Sequence, residues 1–406
     1  MRILYYHQYF STTEGATGTR SYEMAKYLVE RGHNVVMVCG ASDVGKTGLS
    51  GAFVRGKRTG RVEGIEVVQF ELPYSNRDGL VKRSVTFLKF ALKSVNFAFS
   101  SDYDVLFATS TPLTAGIPGI VSTTLRKKPF VFEVRDLWPE LPREMGVITN
   151  PVVLKALDLL EWCSYRTATR CIGLSPGIVE GIRRRSKKSL PVAMIPNGCD
   201  LDFFTPGSAR NGRPEGVAKG DFLAVFCGAH GLANGLDAAL NAARELKHRN
   251  RTHIRLVFVG EGKLKPQLRA KATREGLHNC QFIDAMPKTE LAGLLRSADV
   301  GLMLLANVPA FYYGTSPNKF FDYIAAGLPV LNNYPGWLAD MIKQNDCGLA
   351  VAPDNPVAFA DALEYLADHP EHRTAMGKNA RLLAERDFDR KTLAKQFADW
   401  LEGAAG

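Results

Sequence analysis

Short apolar runs alternate along this chain with stretches whose apolar residues recur every three or four positions. Residues 2–7 (Arg-Ile-Leu-Tyr-Tyr-His) form the first run, a Gly/Thr/Ser loop follows over 11–19, and Tyr22, Ala25, Leu28 and Val29 then share one helical face. Gly32 closes that helix, and Val35-Val36-Met37-Val38-Cys39 makes the next run. The alternation returns in Val105–Ala108, a helix over 113–125 and Phe130–Val134. It restarts with 222–226, helix 235–248 and 254–259, then helix 263–275, strand 281–283 and helix 288–296. Strand 300–304, helix 317–326, strand 329–331 and a last helix near 389–402 complete it. Uninterrupted apolar strands separated by helices predict mostly parallel sheets covered on both faces. Two doubly wound α/β domains result, 1–200 and 201–384, joined by a Gly/Pro/Arg/Asn-rich linker near 196–220. Ligands of such sheets bind beyond the carboxyl ends of the strands, so chemistry belongs in the loops that follow them.

At 406 residues, 46% hydrophobic and 23% charged, the chain is of ordinary globular composition, which excludes a disordered or fibrous protein. Its longest apolar stretches, such as 223–228 and 299–306, are too short to span a membrane, and the start lacks the pattern of a signal peptide. A cytoplasmic protein is expected. Seven cysteines, odd in number and without a C-x-x-C pair, argue against a disulfide framework or a zinc site and read as core thiols. The net charge of +10 is concentrated in residues 1–200, which hold 27 Lys and Arg against 18 Asp and Glu. Residues 80–100 read as one basic, apolar helix, with Val81, Val85, Leu88, Leu92 and Val95 on or near one face and Lys82, Arg83, Lys89 and Lys93 supplying charge. That combination suits the surface of an anionic membrane, although a helix packed on its own sheet explains it equally well. Nucleic-acid binding lacks interleaved aromatic and basic residues or a reading helix.

Four loops carry candidate chemistry. Gly15-Ala16-Thr17-Gly18-Thr19-Arg20 opens the first helix, where glycine admits a ligand to the backbone and free N–H groups face an anion. Gly260-Glu261-Gly262-Lys263-Leu264-Lys265 offers the same with lysine charge. Pro317-Asn318-Lys319 starts a helix with a cation placed against the helix dipole, which points to a bound anion, and Asp322 stands one turn later, within reach of a ribose diol. The strand Phe130–Val134 ends in Arg135-Asp136-Leu137-Trp138-Pro139-Glu140, charges that are costly to bury unless paired or used, an Arg135–Asp136 ion pair being the structural alternative. His7 ends the first strand and is placed to line the cleft, whereas His33 and Asp102-Tyr103-Asp104 read as a helix-end residue and a strand-entry turn.

In order and spacing these motifs, with Gly32-His33 and Ile195-Pro196-Asn197-Gly198-Cys199-Asp200, resemble the retaining glycosyltransferases of family 4, and within them the fucosamine-transferase-like branch of bacterial O-antigen and capsule assembly. The resemblance implies a GT-B fold: two Rossmann-like domains facing a central cleft, acceptor on the first, nucleotide sugar on the second, and the C-terminal helix (385–406) packed back on the first. It implies a UDP-linked donor carrying an N-acetylated or deoxy amino sugar, a growing lipid-linked glycan as acceptor, and a place on the inner face of the cell membrane. Gly15 and Gly18 would face the diphosphate, Asp322 the ribose and the segment after Gly260 the base. No cofactor or metal is implied, because helix N-termini and basic side chains stabilise the departing diphosphate. Transfer would be a front-face substitution, with His7 in the cleft, Arg135 and Asp136 orienting sugar and acceptor, and closure about a 197–215 hinge excluding water.

Two positions depart from the family pattern. Of its two acids eight residues apart, the second is Asp322 but the first is Gly314. The Gly-Arg…Lys-Gly pair that grips phosphates becomes Gly228-Ala229 and Asn234-Gly235, leaving Lys319 and Lys265, and after them His230, to replace the cations. The competing readings are a nucleotide-sugar epimerase of the same fold and a catalytically silent sugar or nucleotide binder.

Overall fold

The computed structural model describes residues 1–43, 45–75, 78–206 and 212–405, so part of the predicted linker, 207–211, lies outside the described residues. The chain divides into two compact units: Met1–Pro196 with Tyr313–Ser316 and Lys391–Gly406, and Asn197–Tyr312 with Pro317–Arg390.

The first unit is built on strands β1 (Arg2–Tyr6), β2 (Asn34–Ser42), β3 (Lys57–Val62), β4 (Ile65–Tyr74), β5 (Val105–Thr109), β6 (Phe130–Val134), β7 (Arg170–Gly173) and β8 (Val192–Met194). Their order is β3-β4-β2-β1-β5-β6-β7-β8, and only β3 runs antiparallel. β5 and β6 are buried at every position, as strands covered on both faces must be. The polar edge strand β3 was not visible as an apolar run; it is held by a tight turn in which Glu63 and Gly64 both take positive φ. The predicted helix over 113–125 is broken instead into a 3₁₀ turn (Leu113–Gly116), a short helix (Ile117–Val121) and a wide π-type turn (Ser122–Arg126). Pro112, Gly116, Pro118 and Gly119 interrupt any longer helix there. The helix Arg390–Ala405 buries Leu393, Phe397 and Leu401 in the core of this unit, and Arg31 and His33 bond its Glu402 at 2.8 and 2.7 Å. His33 is thus structural, as is Asp104, whose carboxylate accepts the Arg2 N–H at the entry to the sheet.

The second unit carries β9 (Phe222–Cys227), β10 (Ile254–Val259), β11 (Cys280–Ile283), β12 (Val300–Met303), β13 (Val330–Asn332) and β14 (Gly348–Ala350). All are parallel, in the order β11-β10-β9-β12-β13-β14. The direction of winding reverses between β9 and β12, so the loops after these two strands flank the crevice where a doubly wound sheet binds its ligand. All seven cysteines are free. No helix among the described residues is long and apolar enough to cross a membrane.

Candidate functional site

The switch-point crevice of the second unit is formed by the loop after β9, the segment after β12 and the start of the helix Asn318–Ala325, with Pro317 at its N-cap. Gly228 turns the chain with φ +151°, and its lack of a side chain leaves space beside Lys319, whose ammonium is 3.7 Å from where a Cβ would stand. Lys319 Nζ donates to Asn234 Oδ1 and to the Leu304 carbonyl (3.3 Å) and lies 4.3 Å from the centroid of the Phe226 ring. No described carboxylate lies within ion-pairing distance of it. Burial therefore pushes the ammonium down to about 7. A cation held without a counter-ion beside free N–H groups at a helix start is an arrangement completed by an anion. Lys319 rests on Asn234, the residue that stands where the family pattern has its lysine.

The other two candidates have different surroundings. Lys265 Nζ donates to the carbonyls of Gly260 (2.9 Å) and Ile283 (3.1 Å) and to the carboxylates of Glu261 (2.8 Å) and Asp284 (2.6 Å), which leaves nothing for a phosphate. His230 is fully buried and both ring nitrogens lack a partner; burial and then the charge of Lys265 bring it down to about 4, so it is neutral at physiological pH. Gly260 and Gly262 are required by packing. A Cβ on Gly260 would stand 1.9 Å from the Gly228 carbonyl oxygen, and one on Gly262 2.4 Å from that of His230. These glycines let the two loops pack back to back.

Asp322 lies one turn into the helix, largely buried, 3.6 Å from Lys288. Burial raises its carboxyl, and Lys288 opposes the rise. Lys288 also pairs with Asp200, which Arg390 holds at 2.8 Å. Sequence reasoning missed this four-charge network because its members lie far apart in the chain.

In the first unit, Arg135 donates to His7 Nε2 at 3.2 Å instead of pairing with Asp136, and its backbone N–H is held by Ser110 Oγ at 2.9 Å. Burial, then the Arg135 charge, holds the His7 imidazole well below its ordinary value, which leaves it neutral with Nδ1 unpartnered. Asp136 is half-buried without a hydrogen-bond partner among the described residues, and burial raises its carboxyl against the pull of Arg135. His7, Arg135 and Asp136 thus gather at the carboxyl ends of β1 and β6. Gly15 is buried and donates to the Thr12 carbonyl at 3.2 Å, while Gly18 is half-exposed on the same loop. Arg20, at the end of that loop, is sealed: it binds Glu133 at 2.8 and 3.0 Å and the carbonyls of Ile195 (2.9 Å) and Pro196 (2.6 Å). A glutamate inside an apolar strand demanded such a partner, a signal available in the sequence. Among the described residues, no group of three or more His, Cys, Asp or Glu is placed to hold a metal ion.

Residues 15–198 match the glycosyl transferase 4-like domain, and 209–383 match glycosyl transferases group 1. The chain belongs to the GT-B glycosyltransferases. Its relatives include the D-inositol 3-phosphate glycosyltransferase of Corynebacterium jeikeium, 29% identical over 205 residues, 47% of this chain and 46% of that protein. The match thus spans about half the length of that relative. Among solved structures, WaaG, a glycosyltransferase involved in lipopolysaccharide biosynthesis, superposes with a TM-score of 0.71 at 18% identity, covering 99% of this chain and 100% of that one. HepE of Anabaena, in complex with UDP-glucose, gives 0.71 at 17% identity with the same coverage. These likenesses establish the GT-B fold for this glycosyltransferase-family chain.

The helix Leu80–Ser100 packs through Thr86, Phe90, Ala91, Ser94 and Ala98 and leaves Leu80, Val81, Val85, Leu88 and Leu92 exposed. Lys82, Lys89 and Lys93 are exposed on the same helix. A second helix, Pro151–Thr167, exposes Val152, Leu159 and Trp162, an apolar surface that sequence reading passed over.

Proposed function

We propose that this chain is a retaining family 4 glycosyltransferase that moves a sugar from a UDP-sugar to a lipid-linked surface glycan. The observation that carries the reading is Lys319, a cation without a carboxylate at the switch point of the second sheet. The diphosphate would lie against Lys319, the Gly228 turn and the free N–H groups before Phe320, and Asp322 would accept from the ribose hydroxyls. UDP as the carrier is supported by the HepE complex, and a glycan of the cell surface by the likeness to WaaG. The donor sugar is proposed to be an N-acetylated or deoxy amino sugar, as in O-antigen and capsule assembly.

In this reading the bond between the anomeric carbon and the diphosphate oxygen breaks toward Lys319, which meets the developing negative charge. The acceptor hydroxyl attacks the same face, and its proton passes to the departing diphosphate. Arg135, held by His7 and Ser110, and Asp136, with free acceptor oxygens, orient the acceptor and sugar. The reaction so written uses no metal. Gly15 and Gly18, on the loop after β1, are proposed donor contacts.

Thermal unfolding with UDP, GDP and ADP, with and without EDTA, tests the donor. A ligand at 100 times its Kd stabilises the native state by about 2.7 kcal/mol. A UDP-selective rise that EDTA leaves intact is expected; no rise with any nucleotide would favour a silent protein and direct attention to Gly314.

The lipid-linked acceptor is supported by the exposed apolar and basic face of helix Leu80–Ser100, proposed to rest on the inner face of the cell membrane. Leu88→Ser and Leu92→Ser together are expected to weaken flotation with anionic vesicles by roughly 100-fold, at about 1.5 kcal/mol per leucine. Their transfer to a water-soluble acceptor should stay unchanged. Equal flotation of variant and parent would remove this face from the proposal.

A further inference from the structure

We infer that Lys288 is a positioning residue for the nucleotide ribose, acting by holding the Asp322 carboxylate. This rests on the reading of Asp322 as the ribose acceptor.

The four charges Asp200, Asp322, Lys288 and Arg390 lie in the second unit, each with a side chain no more than 15% exposed. Asp200 does not need Lys288 for its neutrality. Arg390 approaches it at 2.8 and 3.5 Å, and the segments that carry the pair are fixed by their backbones: Cys199 N–H donates to the Phe388 carbonyl at 2.7 Å, and Arg390 N–H to that of Cys199 at 3.0 Å. Lys288 is a second cation in a place that already has one. The carboxylate that would lose its ion-pairing partner if Lys288 were removed is Asp322, on which Arg390 acts only from a greater distance.

The contact with Asp322 is a loose one. At 3.6 Å the ammonium is close enough to favour the charged carboxylate and too far to occupy its lone pairs as a short hydrogen bond does. No other side-chain hydrogen bond to Asp322 exists among the described residues, and the group keeps some exposure. An ionised carboxylate with open acceptor positions suits a vicinal diol, which offers two O–H donors. A neutral carboxyl would offer a donor where the diol needs an acceptor. Lys288 is itself fixed, because its ammonium also binds Asp200 and faces the Phe204 ring at 5.1 Å. Sequence offered no sign of this: Lys288 opens a helix 34 positions before Asp322.

The test is calorimetry of the full chain with UDP and with 2′,3′-dideoxy-UDP. The parent is expected to prefer UDP by about 10- to 100-fold, the range for hydrogen bonds to a charged group. Lys288→Met should reduce that preference to below about threefold while leaving dideoxy-UDP affinity within about twofold, whereas Lys288→Arg should retain most of it. A general loss of structure would lower both affinities together. Should Lys288→Met not fold, Lys288→Met with Asp200→Asn removes one charge of each sign and carries the same expectation; Asp200→Asn alone should keep the preference. Asp322→Asn separates the two ideas. If the parent shows no preference, or Asp322→Asn keeps it, the ribose reading falls and takes this inference with it. If Asp322→Asn loses the preference and Lys288→Met keeps it, the ribose reading stands and Lys288 is not its positioning residue.

Discussion

Lys265 and Lys319 follow strands of the same sheet, and from the sequence both look like cations for a phosphate. The structure gives them opposite surroundings. Lys265 is surrounded by two carboxylates and two carbonyls, and its ammonium holds together the loop after β10 and the end of β11. Lys319 has an amide oxygen, one carbonyl and an aromatic face, none of which cancels its charge. A lysine at the carboxyl edge of a sheet is therefore a candidate ligand group only when its counter-charge is missing from the protein itself.

The strongest way to break the comparison is Lys319→Met, expected to weaken UDP binding by about 100-fold, the upper range for a charge-assisted bond. The same variant should melt higher than the parent. The ammonium sits below its unfolded value, so from about pH 7 to its unfolded pKa near 10.4 the unfolded chain binds the proton more readily, and the charge costs stability at neutral pH. Weaker binding together with a lower melting temperature would mark Lys319 as a structural residue. Next in size is Lys265→Met, which removes the ammonium shared by Glu261, Asp284 and the Gly260 and Ile283 carbonyls. It should cost about 1–3 kcal/mol of stability and leave UDP affinity unchanged; a loss of affinity without a loss of stability would reverse the roles of the two lysines. The smallest effect is in pH. Because an anion binds the charged form of Lys319, UDP affinity should fall between pH 7 and 9 by less than about tenfold per unit, and Lys319→Met should abolish the slope.

Local pattern carried much of this molecule. The apolar runs of β1, β5, β6, β9 and β10 are buried on both faces and could be read directly. Lys319 was legible because a cation in the first turn opposes the helix dipole, a local anomaly. The partners of Lys265 were not legible, because the neutralising Asp284 follows another strand, 19 positions away. Arg20 and Glu133, 113 positions apart, belong to the same class, as do Asp200 and Arg390, 190 apart. Such pairings are created by topology, and one sequence shows the need for a partner without showing which residue meets it. The edge strand β3 escaped for the opposite reason: its half-exposed polar residues give no apolar run to detect.

The back-to-back loops also govern how this chain can change by mutation. With its Cβ position only 1.9 Å from the Gly228 carbonyl, Gly260 has no neighbouring sequence open to it while the turn beside Lys319 keeps its shape. Gly314 borders open space, with nothing within 4 Å of where its Cβ would stand. Variation is thus free at the position where the family pattern has its first acid and closed behind the turn where it has lost its arginine. A lineage can regain the acid by changes at one residue, whereas rebuilding the phosphate loop takes two, at Ala229 and Asn234, beside glycines that must stay as they are.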